Sequence, residues 1–418
     1  MRYSLLGLMM SFFVGACFAQ ESSAILVGAQ GQSKRAPLGI LIAYEDEALA
    51  KTAKLVAHHC GLTGQLAPQI RMQQRPKKKN DYKGLAREGF PFVLWVGRDN
   101  TAVTCRAYDT LTNEMILGKS FSDEPTSLHA FMEELWPELM GVRCSFGSTI
   151  VACKEVKRGS KKEEHLYAVR LADPDYKKPL VTTATISGAP RWHPYKEQLF
   201  FCQHTLNNMR LMSLDAAGNQ SVILSLDGLN MTPAVAPDGT IVVGLSRSGK
   251  TRLYRYQTDT VRHKGTFSAI TPLSVHAVSP SFIDNDRVLF CAIDEQHVPR
   301  VSVLDMRTHH IEPVIKEGSS LSPAYCPING LITYIQRVEG VPQLFTADAQ
   351  GKNRRQITFD RSRKDYGTWS PCGNFIAYTQ ENGSQSRIAV ICVTTGKRHC
   401  ITPACERWRC PAWGTCKY

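Results

Sequence analysis

A small N-terminal α/β domain followed by a six-bladed β-propeller is the architecture this sequence predicts, and three observations predict it. A motif recurs through the C-terminal two thirds: a proline or small residue, an aromatic or branched residue two positions on, a turn, then an apolar run. Its copies begin at Pro190, Pro233, Pro280, Pro323, Gly367 and Pro411, spaced by 43, 47, 43, 44 and 44 residues. A period of about 40–50 residues built of short alternating runs marks a propeller blade, whereas helical solenoids repeat with a period of about 3.6 inside each unit. Ahead of the repeats, residues 35–142 alternate between strand-like and helix-like patterns.

One copy shows how a blade is read. Residues 374–379, 386–392 and 397–402 read as strands, with turns at Glu381-Asn382-Gly383 and Thr395-Gly396-Lys397. The segment opening at the leader residue is taken as the innermost strand, which makes four per copy. The first blade, residues 148–183, has three strand-like runs and no leader, while Pro411 and Trp413 form a leader with no blade. An open sheet edge leaves backbone groups unpaired. Pro411 and Trp413 are therefore expected to complete the first blade, with Trp413 in the place Trp369 takes in the sixth.

In chain order, residues 1–19 carry Arg2, an apolar stretch at 5–14 and small residues at Cys17 and Ala19, the pattern of a secretory signal cleaved after Ala19. Val14-Gly15-Ala16-Cys17 also resembles a lipobox, in which Cys17 would be lipidated and tether the chain. No later segment reaches about 18 uninterrupted apolar residues, so the mature chain is expected to be soluble. Residues 20–34 read as a mobile tail with a short apolar core, Ile25-Leu26-Val27. A strand over 37–44 then leads into a helix over 46–60, stopped by Gly61. Strands over 90–96, 102–109 and 115–119 and a helix over 128–139 complete the α/β domain.

The net charge of +13 is spread along the chain, with its densest runs at 75–79, 154–162 and 352–364, read either as solvated loops or as attraction to acidic envelope polymers or an acidic partner. Export argues against nucleic acid as a partner. Catalysis finds little support: a propeller peptidase needs a Gly-x-Ser-x-Gly elbow in an added hydrolase domain, and Gly244-Leu245-Ser246-Arg247-Ser248 fails at its last position. His58-His59 and His309-His310 have no partner cluster at ligand spacing, so no metal and no cofactor is expected. Of the fourteen cysteines, Cys153, Cys202 and Cys291 occupy similar second-strand places and read as buried free thiols. For Cys392, Cys400, Cys405, Cys410 and Cys416, disulfides near the ring closure and free thiols both stay open.

The order of signal, tail, α/β domain and six proline-led repeats resembles the TolB family, periplasmic components of the Tol–Pal envelope system. Arg35-Ala36-Pro37-Leu38-Gly39-Ile40 is similar to that family's first strand entry, Leu135-Trp136-Pro137-Glu138 to the end of its inter-domain helix, and Cys410-Pro411-Ala412-Trp413 to its closing motif. Pro327-Ile328-Asn329-Gly330 and Ile283-Asp284-Asn285-Asp286 depart from the family's turn, and the tail lacks its acidic residues. The resemblance implies a non-catalytic periplasmic hub. Its propeller mouth would receive a Pal-like peptidoglycan-associated lipoprotein at Leu229, Asn230, Met231, Thr232, His276, Val278 and Ser279. The tail, through Ile25, Leu26 and Val27, would contact a TolA-like inner-membrane protein. A different class, a propeller lyase or peptidase acting on an envelope polymer, would need an acid and a base converging in the channel.

Overall fold

The computed structural model describes residues 36–42, 47–72, 79–99, 101–122, 124–159, 161–173, 175–182, 186–205, 208–226, 229–247, 250–259 and 264–414. The expected signal with Cys17, the tail with Ile25, Leu26 and Val27, and Cys416 lie outside the described residues.

Strands β1 (Ala36–Ile42), β2 (Leu66–Met72), β3 (Phe92–Asp99), β4 (Ala102–Asp109) and β5 (Glu114–Phe121) form one sheet in the order β2-β1-β3-β4-β5. Both β2 and β3 run parallel to β1, and the remaining pairs are antiparallel. Helices α1 (Glu47–Leu62) and α3 (Pro125–Met140) cover one face and α2 (Lys79–Arg87) the other. The strand side chains divide accordingly: Leu38, Ile40, Leu94 and Val96 face α1 and α3, whereas Leu41, Val93 and Trp95 face Tyr82 and Leu85 of α2. Burial on both faces explains the continuous apolar runs of β1 and β3.

Both β2 and α2 are additions to the sequence reading. The first is an edge strand interrupted by Pro68, a residue tolerated there because it has no ladder N–H to donate; the second is polar except at Tyr82 and Leu85. Gly61 does not end α1, which continues to Leu62 because that side chain is fully buried. The left-handed residue that follows is Gly64, φ 74°. A Cβ there would stand 3.0 Å from Lys397, so this position favours glycine twice over.

Among the described residues the ring has six blades of four strands each, the first two joined into one eight-stranded sheet through a parallel contact of Glu164 with Ile186. The first contains β6 (Thr149–Arg158), β7 (Lys161–Val169) and β8 (Lys177–Val181), and the second β9 (Ile186–Trp192), β10 (Gln198–His204), β11 (Met209–Asp215) and β12 (Gln220–Leu226). The third is β13 (Leu229–Val235), β14 (Ile241–Arg247), β15 (Lys250–Asp259) and β16 (Lys264–Ala269). The fourth is β17 (His276–Phe282), β18 (Arg287–Ile293), β19 (Pro299–Asp305) and β20 (Ile311–Pro313). The fifth is β21 (Ser320–Tyr325), β22 (Leu331–Val338), β23 (Val341–Asp348) and β24 (Arg355–Gln356). The sixth is β25 (Arg363–Trp369), β26 (Phe375–Asn382), β27 (Gln385–Cys392) and β28 (Arg398–Cys400). The last strand, β29 (Trp408–Gly414), pairs antiparallel with β6 and supplies the innermost strand of the first blade. Trp413 stands opposite Ile150 there, as Trp369 stands opposite Ile376 in the sixth.

The inner strands begin several residues before the leader, not at it. Each shifts register just ahead of the leader. At five of these bulges the preceding residue is left-handed: Ala189, Ser279, Ser322, Tyr366 and Cys410 have φ between 49° and 54°. Proline fits the step because the ladder is interrupted there and needs no N–H. Neighbouring inner strands are stitched at the positions that follow. Tyr325 N–H donates to Ser281 Oγ at 3.2 Å and Trp413 N–H to Thr368 Oγ1 at 3.3 Å. The Trp369 and Trp192 indoles donate to the Ala324 and Ala412 carbonyls of the preceding blades.

The α/β domain sits on the first and sixth blades, astride the closure. His58 Nε2 bonds the Leu171 carbonyl at 3.0 Å, His399 Nε2 that of Leu62 at 2.8 Å, and Asn374 Nδ2 donates to the Arg143 carbonyl at 2.7 Å. A shared apolar core runs from Val56 and Trp136 through Phe146 to Ile150, Phe375 and Trp413. Inside it His59 Nδ1–H donates to the Leu55 carbonyl at 2.6 Å, which leaves Nε2 to accept from His129 Nδ1–H at 2.8 Å.

Two predictions follow from this packing. Trp413→Ala removes a side chain 7 % exposed together with its indole bond to Ser148 Oγ at 2.8 Å; a loss of about 3–5 kcal/mol is expected in urea unfolding. Burial, and then the neighbouring His129, lower the His59 pKa from 6.5 to about 3. The unfolded chain therefore takes up a proton that the folded one refuses, and stability should fall as pH drops from 6.5 towards 3. Melting temperatures across that window should show the decline, and His59→Gln should flatten it.

Candidate protein interface

Every inner strand runs from one end of the ring to the other, which makes the two ends different. One end gathers the turns between the first and second and between the third and fourth strands of each blade. Asn374, Thr395 and His399, which hold the α/β domain, belong to that end. The opposite end gathers the starts of the inner strands, the hairpins between second and third strands, and the connectors between blades. It forms the candidate interface.

The residues the sequence points to lie here, on two neighbouring inner strands. Leu229, Asn230, Met231 and Thr232 fall in β13, where Leu229 pairs with Ser246 and Thr232 with Gly244 across the bulge. Thr232 is half-buried; the side chains of Leu229, Asn230 and Met231 are outside those described. In β17, His276 and Val278 are half-buried and alternate with Ala277, which is fully buried between the third and fourth blades. Ser279 is the left-handed bulge residue, φ 54°. These positions precede the leader at which the sequence reading opened the inner strand, and they are strand residues whose spacing is set by the ladder.

The connectors add residues that the sequence reading missed. An Ile-Thr pair recurs at 270, 357 and 401, and its geometry is the same each time. The Thr271, Thr358 and Thr402 hydroxyls accept the N–H of Leu253, Leu344 and Ile388 at 3.0, 2.9 and 2.8 Å. The isoleucine N–H groups bond the carbonyls of those same residues. Each pair pins its connector to the third strand and turns the next residues outward, so Leu273 and Phe359 are both 60 % exposed. The repeated Ile-Thr was the signal that could have found them.

Several charges at this end are paired. Arg409 pairs with Glu164, Arg407 with Glu155 and Lys154 with Glu406, all near the ring closure. Within the 154–162 run, Lys162 and Arg158 also reach Glu155 and Glu163. Lys364, whose side chain is wholly buried, donates to Asp360 Oδ1 at 2.7 Å and to Ser362 Oγ at 3.0 Å. Burial would raise the Asp360 pKa, but the hydrogen bonds from Lys364 and Ser362 outweigh it and hold the carboxyl well below the usual range. Asp365 behaves oppositely: burial pushes it up, despite hydrogen bonds from Ser322 Oγ and the Tyr366 N–H, each at 2.8 Å.

Among the described residues no group of three or more His, Cys, Asp or Glu could hold a metal ion, and His58 and His59 point to different partners. No helix among them is long and apolar enough to cross a membrane.

Breaking this half-buried pair tests how far it shapes this end. Asp360→Ala removes the Lys364 counter-charge from a partly solvated position while the Ser362 hydrogen bonds remain, and a cost of about 1–2 kcal/mol is expected in chemical unfolding.

No family model matches the chain. It is 28 % identical over 207 residues to a protein TolB homolog of Chlorobium luteolum, a match spanning 48 % of this chain and 45 % of that protein. It is 20 % identical over 167 residues to the Tol-Pal system protein TolB of Gluconobacter oxydans, spanning 38 % and 36 %. The chain thus spans less than half the length of these curated relatives. The crystal structure of TolB from Acinetobacter baumannii superposes with a TM-score of 0.75 at 15 % identity, covering 91 % of this chain and 96 % of that one. In sequence over part of its length, and in fold over nine tenths of it, the chain is TolB-like.

Proposed function

We propose that the chain is a non-catalytic periplasmic scaffold of a Tol–Pal-type envelope complex, helping to maintain outer-membrane integrity and envelope constriction at division. The ring end opposite the α/β domain binds a Pal-type peptidoglycan-associated lipoprotein, and the tail around Ile25, Leu26 and Val27 meets a TolA-type inner-membrane protein. The observation that carries this reading is the division of the ring: the α/β domain occupies one end, and the other presents two adjacent inner strands with half-buried His276, Val278 and Thr232 beside exposed apolar connectors. A concavity with apolar residues at its lip suits a compact folded partner. The ion pairing of the nearby carboxylates with arginine and lysine favours a scaffold over a propeller enzyme, whose acid and base must be available to a substrate.

Immobilised Pal-type lipoprotein should capture the wild-type chain. Asn230→Ala combined with His276→Ala should weaken capture by about tenfold or more, with the melting temperature unchanged. Deleting residues 21–33 should abolish binding to a TolA-type domain and spare Pal capture. Undiminished capture by the folded double variant would move the lipoprotein site away from these strands, and survival of both interactions after the deletion would reduce the tail to a spacer.

A further inference from the structure

Cys153, Cys202 and Cys291 hold one repeat position, in the second strand opposite the residue that precedes the inner-strand bulge: Arg409, Gly188 and Val278 respectively. The bulge residue that follows differs. It is Ala189 in the second blade and Ser279 in the fourth, but Cys410 in the first. A second-strand thiol therefore meets a bulge thiol where the two ends of the ring sequence join. Cys153 is 2 % exposed, and Cys410 packs against the same apolar cluster with Val151, Leu166 and Trp192. The residue before Cys410, Arg409, pairs with Cys153 across the ladder, so the two cysteines are neighbours in one apolar cluster.

We propose that Cys153 and Cys410 form a disulfide that locks the ring closure covalently. The closure between β29 and β6 is held by non-covalent contacts, and a cross-link there would close a loop of about 260 residues. In the folded ring, contact with Cys153 lowers the Cys410 thiol, burial and the nearby Asp365 raise it, and the Arg409 and Arg191 guanidinium groups lower it. Cys410, on the last strand to dock, is the thiol that attacks first. The oxidant is an exogenous disulfide of the glutathione or protein-disulfide class. Cys410 displaces one sulfur of it to form a mixed disulfide, and Cys153 then displaces the other. Two electrons and two protons leave the pair, and the oxidant departs as two thiols. Because Cys153 is buried, exchange belongs to folding, before the last strand has docked. The proposal is independent of the Tol–Pal reading.

The full chain, refolded from urea in a glutathione redox buffer, alkylated and digested without reduction, should yield a linked peptide containing Cys153 and Cys410. Alkylation of both cysteines, or linkage of either to a different one, would overturn the bridge. The oxidised protein should also melt about 5 °C or more above the reduced protein, with a smaller gap in C153S/C410S. An equal gap in that variant would count against the bridge, and if the variant does not fold the wild-type peptide map decides.

Discussion

A sheet edge left open in water presents a row of unpaired N–H and C=O groups, and the ring removes such an edge by pairing β29 with β6. Much else depends on that pairing. It brings Trp413 against Ser148 and Phe375, and it completes the apolar floor on which the α/β domain rests. It also joins residues about 260 positions apart, so the closure has to be won against a large loss of chain entropy. The stitching of neighbouring inner strands, Tyr325 to Ser281 and Trp413 to Thr368, distributes that cost around the ring by giving each blade a fixed place relative to the next.

The two ends of the ring are specialised by the same topology. Turns at one end, short and polar, offer side chains such as Asn374 and His399 to backbone carbonyls of the α/β domain. At the other end the strand starts are constrained by bulges and the connectors by Ile-Thr pairs, so half-buried and exposed apolar groups are held on rigid backbone. Rigid presentation limits the ordering that a partner must induce.

The repeat made the ring legible, because a spacing near 44 residues survives even where a turn has drifted. Ile283-Asp284-Asn285-Asp286 and Pro327-Ile328-Asn329-Gly330 depart from the common turn, yet Asn285 and Asn329 still bond the neighbouring blade's turn. Edge strand β2 and helix α2 were illegible: Pro68 breaks the alternation of one, and the other buries two apolar residues. The left-handed bulges also left no trace, since Ala, Ser, Tyr and Cys stand where glycine or asparagine would have signalled the conformation. Pairings such as His59 with His129, or Cys153 with Cys410, depend on three-dimensional closure and carry no local pattern. Of the candidate interface, the inner strands were legible from their phase in the repeat, but their starts, which hold His276 and Thr232, were not, because the strand was taken to open at the leader. The exposed Leu273 and Phe359 lay in connectors that had been read only as gaps between strands.

The shared core beneath the closure orders events during synthesis. Leu38, Ile40, Val56 and Trp136 belong to the first third of the chain, but the cluster they join is finished by Phe375, Ile388, Trp408 and Trp413. A chain that emerges N-terminus first therefore carries an α/β domain whose apolar underside stays partly uncovered until β29 has been made, so the first domain and the strand that closes the ring are completed together.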